Sequence, residues 1–237
     1  MKALCERKSV EIPVNNLSIA ISNNAKWCEL VANSHGIQSQ WLEDVWYTTS
    51  TMPPFYPNVV SLKREINPEI MSTLLRELPE RCGWKDSFGT LKLEAFGFKP
   101  IFDANWYGLS ECRFKEEFIE STGVASSLEE QAEWIDAWGE TPAGSVIFVP
   151  ELLREEVKFF FAKKEGVMES VLIANVGGGA VGISNTFGSS KGISECIKCA
   201  CIWANGLPVV GYGSGAEANI LKGLGFEALG KLRVWVR

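Results

Sequence analysis

An internal repeat constrains this chain more than any other feature of its sequence. Gly83-Trp84 through Trp106 pairs without a gap with Gly211-Tyr212 through Val234, so that Gly83 meets Gly211, Trp84 meets Tyr212, Leu93 meets Leu221, Phe96 meets Leu224 and Gly97-Phe98 meets Gly225-Phe226. After each Gly-Phe an apolar run ends in an aromatic, Trp106 or Trp235. Upstream, Pro68 to Leu78 lies opposite Ser194 to Trp203, with Met71, Leu74 and Leu75 matching Cys199, Ile202 and Trp203. Further back, Pro57-Asn58-Val59-Val60 lies beside Ser184-Asn185-Thr186-Phe187. No single identity is specific; the shared spacing carries the argument, because a pattern repeated at one spacing is one supersecondary unit used twice. Each half is expected to run strand, helix, strand or turn, helix, strand. The boundary is placed near Gly108, dividing the chain into lobes 1–108 and 109–237.

The second half is the more legible. Ser127-Leu128-Glu129-Glu130 forms a capping box for a helix running to about Trp138, with Leu128, Gln131, Ala132, Ile135 and Trp138 on one face. Pro150 suits the first turn of a short helix. Val157 to Lys163, Met168 to Val176 and Ala180 to Phe187 are apolar runs rich in aromatic and β-branched residues, separated by Lys164-Glu165-Gly166 and Gly177-Gly178-Gly179. They predict an antiparallel meander, and the glycine triplet, followed by a strand pattern, reads as a turn. Gly188-Ser189-Ser190-Lys191-Gly192 leads into a helix over Ile193 to Ala204. Strand, Gly/Ser/Lys loop and helix N-terminus together suit a phosphate, since free N–H groups and the positive end of the dipole converge there; an ordinary connecting loop has the same composition. Leu207 to Tyr212 then reads as a buried parallel strand, Ala216 to Leu224 as a helix stopped by Gly225, and Glu227 to Val236 as a half-exposed strand. The architecture expected is α/β of the α+β type, each lobe a mixed, mostly antiparallel sheet flanked by helices.

Composition narrows the function. The chain of 237 residues has a formal net charge of -6, which counts against a protein that grips a polyphosphate backbone, so nucleic acid is not an expected partner. No apolar stretch near the start resembles a secretory leader, and the uncharged runs Ser170 to Ser190 and Cys199 to Ala216 are broken by Gly and Pro, so no membrane partner is expected and a cytoplasmic location is. The seven cysteines are an odd, scattered set and read as reduced thiols. Cys196, Cys199 and Cys201 invite a redox or metal reading, but Cys196 falls a turn inside a helix and the ligands for a tetrahedral metal site are lacking; core thiols are expected and no metal. His35, the one histidine, reads as a helix-end or surface residue.

The order of a meander, a phosphate-type loop and helix, a strand, a helix ending in Gly-Phe and a last strand resembles the GCN5-related N-acetyltransferase fold. The resemblance is best over Val157 to Trp235, sharpest at Leu224-Gly-Phe-Glu-Ala-Leu-Gly-Lys-Leu-Arg-Val-Trp235, with residues 23–107 similar to a shortened, degenerate copy lacking an obvious meander. It implies acetyl-CoA as co-substrate and a small-molecule or protein amine as acceptor. Carried over by position, it places pantetheine against Ile183, Ser184, Asn185 and Thr186, and the pyrophosphate near Gly188, Ser189, Ser190, Lys191 and Gly192, with Lys191 adding a point charge. The family's usual Gln/Arg-x-x-Gly-x-Gly/Ala loop is not present.

The tyrosine that many relatives carry four residues before the glycine of Gly-Phe is Leu221 here, and Leu93 in the first half. Tyr212, at the end of the preceding strand, is the candidate acid; it reads equally as an aromatic packed between lobes, like Trp84. Glu195, Glu169 or water relays to the acidic segment Glu116 to Glu140 are candidates for the base, Glu195 being the one chosen. That segment holds eight acidic residues and no Lys or Arg, and reads as a solvated face or as a rim attracting a cationic amine. The rival is an inert protein on the same scaffold, binding a ligand or a protein partner as monomer or homodimer.

Overall fold

A computed structural model describes residues 16–114, 121–139 and 141–237. In chain order it contains α1 (Asn16–Ser34), β1 (Gln40–Trp41), β2 (Val45–Tyr47), β3 (Val59–Ser61), α2 (Pro68–Glu77), β4 (Gly83–Asp86) and β5 (Lys99–Leu109). There follow β6 (Thr122–Val124), α3 (Leu128–Trp138), α4 (Thr141–Ile147), β7 (Val157–Lys164), β8 (Val167–Gly177), β9 (Ala180–Phe187), α5 (Ser190–Trp203), β10 (Val209–Gly213), α6 (Gly215–Gly223) and β11 (Glu227–Val236). Cys5 and much of the acidic segment, Glu116, Glu117, Glu120 and Glu140, lie outside the described residues.

All eleven described strands join one mostly antiparallel sheet, ordered β1-β2-β3-β4-β11-β5-β10-β9-β8-β7-β6. Separate sheets for the two halves were the expectation; the pairing of the last strands departs from it. β11 lies antiparallel between β4 and β5, and β5 lies antiparallel between β11 and β10. Each half thus inserts its final strand next to the other half's, and the matched segments occupy mirrored places about the β5–β11 pair. The parallel pairs β3–β4 and β9–β10 flank that centre on either side.

Three stretches differ from expectation. The first half does carry a meander, β1-β2-β3, but its strands of two and three residues are too short to display an alternating pattern. Opposite α6 the first half has only a 3-10 turn, Glu94–Phe96, although Gly97 takes the same left-handed stop as Gly225, at φ of 84° and 88°. On α3 the buried face is Gln131, Trp134 and Ile135, with Leu128 exposed; Ser127 caps the helix by accepting from Glu130 N–H at 3.2 Å.

Side-chain alternation splits β8 between two cores, as a strand covered on both faces requires. Val171 and Ile173 face α1 and α3, packing with Trp27, Val31, Trp134 and Phe148, while Leu172 and Ala174 face α5, packing with Ile193, Ile197, Ala200 and Leu221. On the first half, α2 lays Leu74 over Val59, Trp84 and Trp235. No described helix is long and apolar enough to cross a membrane.

Burial pushes the Cys28 thiol up to about 11 and raises Cys196 and Cys201 as well. Thiols in the unfolded chain ionise near about 8.5, so above that pH the unfolded state holds fewer protons than the folded one and stability falls as pH rises. Each such thiol removes about 1.4 kcal/mol per pH unit once the unfolded form is ionised. The urea midpoint under reducing conditions is expected to drop steadily from pH 8 to 10.5; a flat midpoint would contradict buried, protonated thiols.

Candidate active site

The parallel pair β9–β10 holds together only at Val181–Val209 and Gly182–Val210, and the strands then part. A bulge accompanies the separation. Between Val171 and Ile173 of β8 the register against β9 jumps from Phe187 to Ser184, and Asn185 takes a left-handed φ of 52°, a conformation that asparagine tolerates better than most residues. Ile183 is buried against α5, whereas Ser184, Asn185 and Thr186 are partly exposed along the opening. Asn185 Nδ2 donates to Ser184 Oγ at 2.9 Å and to Tyr56 Oη at 3.2 Å. Thr186 Oγ1 donates to the Glu217 carboxylate, tying the departing strand to the first turn of α6.

The loop after β9 is shorter than the sequence suggests. α5 begins at Ser190 and not at Ile193, so Ser189 is the N-cap, its Oγ accepting from Gly192 N–H at 3.2 Å, and Ser190, Lys191 and Gly192 form the first turn. Serine capping overrides the poor helix propensity of Gly192. Ser170 Oγ on β8 accepts from Ser189 N–H at 3.1 Å, which fixes the helix start against the sheet. A side chain at 192 would fall on Ser170 Oγ, so glycine there permits the close approach. The N–H groups of Ser190 and Lys191 belong to the unbonded first turn of a helix. Lys191 projects into solvent 3.9 Å from Glu195, one turn along.

Tyr212, on β10 beside the opening, packs edge-on against Trp106 with ring centroids 5.4 Å apart. Its hydroxyl accepts from Lys85 Nζ at 3.2 Å, and Lys85 Nζ also donates to Asn24 Oδ1 at 2.9 Å. Lys85 comes from β4 of the first half and is 5% exposed. Both line a cavity of about 540 Å3 whose walls include Phe55, Tyr56, Phe102 and Val234. Tyr56 closes the circuit: its hydroxyl accepts from Asn185 and, at 3.0 Å, from Trp27 Nε1, and burial raises its pKa. The opening between β9 and β10 and the cavity therefore meet at Tyr212 and Tyr56.

Of the two residues assigned to catalysis, only Tyr212 reaches this cavity; Glu195 lies on α5 outside its lining, as does Glu169 on β8, 3.9 Å from Lys164. Leu221 is buried in the core beneath α5. Lys85, Tyr56 and Asn24 were missed. The signal for Lys85 was a cation within the short strand Gly-Trp-Lys-Asp, directly after the Trp84 that matches Tyr212. His35 Nε2 lies 3.0 Å from Ile147 O just beyond α1, and among the described residues no group of three or more His, Cys, Asp or Glu gathers into a metal site.

Comparison with solved structures identifies the architecture. A GCN5-related N-acetyltransferase from Kribbella flavida superposes with a TM-score of 0.59 at 12% identity, covering 92% of this chain and 96% of its own. A functionally unknown conserved protein from Staphylococcus epidermidis gives 0.61 at 10% identity, over 85% and 94%. Saccharomyces cerevisiae N-myristoyltransferase, with bound myristoyl-CoA, gives 0.53 at 8% identity, over 75% and 58%. The chain has the GCN5-related N-acetyltransferase fold. No family model and no curated protein matches its sequence.

The bulge sets a measurable constraint. Asn185→Val puts a β-branched residue at positive φ and is expected to cost about 1–3 kcal/mol in urea unfolding, whereas Asn185→Gly, free of that strain, is expected to cost less. Equal losses would contradict a conformational role for this position.

Proposed function

We propose that the protein is an acyl-CoA-dependent N-acyltransferase that moves an acetyl group from acetyl-CoA to an amine. The observation that carries this reading is the meeting, at the Tyr212 hydroxyl, of two parting parallel strands with a 540 Å3 cavity lined by both halves of the chain. In this reading residues 1–108 and 109–237 are two copies of one unit. The second holds the cofactor and the first walls the acceptor pocket.

Pantetheine lies along Ile183 to Thr186, where β9 has left its partner and its main-chain groups are open to a ligand. Entry at the far end breaks or skirts the Thr186–Glu217 bond. The pyrophosphate sits at the start of α5, from Gly188 to Gly192, where the N–H groups of Ser190 and Lys191 and the positive end of the helix face it. Lys191, exposed and 3.9 Å from Glu195, can swing onto a phosphate oxygen.

The thioester then lies beside Tyr212. The amine nitrogen, as free base, bonds to the acyl carbon and the carbon–sulfur bond breaks. Tyr212 gives its phenolic proton to the departing sulfur and regains one from the nitrogen that has just become positively charged. The ammonium's other proton leaves before attack. Among the described residues no Asp or Glu side chain lines the cavity, so in this reading that proton passes to water at the open mouth. At saturating acetyl-CoA, kcat/KM is therefore expected to rise with pH and level off at the acceptor amine's own pKa, shifting when an acceptor of different basicity is used. A plateau independent of acceptor pKa would point to an enzyme base instead.

Calorimetric titration with acetyl-CoA and with desulfo-CoA tests the cofactor site. Micromolar binding of either is expected, weakened several-fold by Lys191→Ala. Tyr212→Phe should leave that affinity intact and lower kcat by 10²–10⁴. No binding at millimolar cofactor would favour an inert, partner-binding protein on this scaffold.

A further inference from the structure

The cavity beside Tyr212 carries an electrostatic signature of its own. Lys85 is a buried cation whose two hydrogen-bond acceptors are neutral oxygens, Asn24 Oδ1 and Tyr212 Oη, and its Nζ also lies 4.3 Å from the centre of the Tyr212 ring. An ammonium has three donors, so one is left for the cavity that Lys85 lines. No carboxylate stands within ion-pair reach of it among the described residues. A buried, unpaired charge costs several kcal/mol, and folds retain one where a ligand completes it. Two further cations, Arg81 and Arg237, line the same cavity. The Arg237 guanidinium rests over Phe98 and donates to the Leu78 and Pro79 carbonyls.

The rest of the wall is mostly apolar. Phe55, Ile101, Phe102 and Val236 are all more than a third exposed at the rim, an unusual concentration of large hydrophobic side chains for an open surface. A cationic amine acceptor, suggested by the acidic composition, meets no Asp or Glu among the described residues of this wall. Beside the Tyr212 hydroxyl the charge on offer is one ammonium with one remaining donor, which suits a single carboxylate.

We propose that the acceptor is an apolar α-amino acid whose carboxylate is bound by Lys85. The carboxylate of such a ligand, two bonds from its amine, takes the third ammonium donor. The adjacent amine then lies near Tyr212, and the side chain lies against Phe55, Phe102 and Val234. This inference rests on the acyl-transfer reading of the same site, and the group transfer is the one written above: amine nitrogen to acyl carbon, sulfur leaving with a proton.

Two measurements separate the two readings. The first is binding without any cofactor: N-acetyl-L-phenylalanine and N-acetyl-L-leucine, the expected products, are titrated against the wild-type protein beside their carboxamides. The acids are expected to bind at least tenfold more tightly than the amides, and Lys85→Met is expected to abolish the difference while acetyl-CoA affinity stays unchanged. The second is thiol release from acetyl-CoA with L-phenylalanine, L-phenylalaninamide and phenethylamine, where the amino acid is expected to give a kcat/KM at least tenfold higher than either analogue. Acetyl-CoA binding together with equal or better use of the analogues that lack a carboxylate would overturn the amino-acid assignment and leave acyl transfer standing. Carboxylate-dependent binding with no affinity for acetyl-CoA would overturn acyl transfer, and with it the acceptor role, leaving a carboxylate site. Lys85→Arg, which keeps the charge, checks that loss in Lys85→Met reflects the missing cation and not misfolding: partial recovery is expected, and none in a folded Lys85→Arg variant would contradict the charge argument.

Discussion

The antiparallel pairing of β5 with β11 is the constraint on which the rest depends. These are the last strands of the two halves, and their register runs from Glu227–Gly108 to Val236–Lys99. Because each is inserted beside the other half's parallel pair, one sheet results and its two sides cannot separate without breaking central strands. The exchange also fixes where the first half's side chains go. β4 lies across β11 with Lys85 opposite Val234, and the Lys85 ammonium reaches the hydroxyl of Tyr212 on β10. Residues of β4, β5, β10 and β11 then line one cavity beside the parting strands.

Within that frame a polar cluster links the elements that border the cavity. Asn24 of α1 holds Lys85, Lys85 holds Tyr212, and Asn185 of the bulged strand holds Tyr56 beside Trp27. Each of these bonds crosses between elements distant in sequence. Buried polar groups of this kind specify geometry because an unpaired member is costly. Helix α1 is therefore more than a cover for the sheet: Asn23 alone donates from Nδ2 to the carbonyls of Asn175, Gly177 and Ala180, locking the helix to the β8–β9 turn.

Much of the second half was legible because its elements are long enough for periodicity to speak. The β7–β8–β9 meander, the α3 cap and the Gly225 stop all lie where the residues put them. The start of α5 was read late because Gly192 looks like loop, while the capping bond from Ser189 that recruits it into the helix depends on Ser170, a neighbour only in space. The short strands β1 to β3 have too few residues to alternate. The cavity was the least legible part, since it is assembled from Tyr56, Lys85 and Tyr212, which the strand exchange alone brings together. The repeat pointed at Trp84 and Tyr212 as equivalents; it gave no hint that the residue after Trp84 would touch the tyrosine itself.

The central claim is that the cofactor lies at the opening of β9 and the first turn of α5. Hydrogen–deuterium exchange with and without saturating acetyl-CoA tests it most directly. The account predicts slowed exchange across residues 183–192 and no change at the corresponding opening after β3, residues 61–68. Unchanged exchange over 183–192, or protection confined to 61–68, would contradict it.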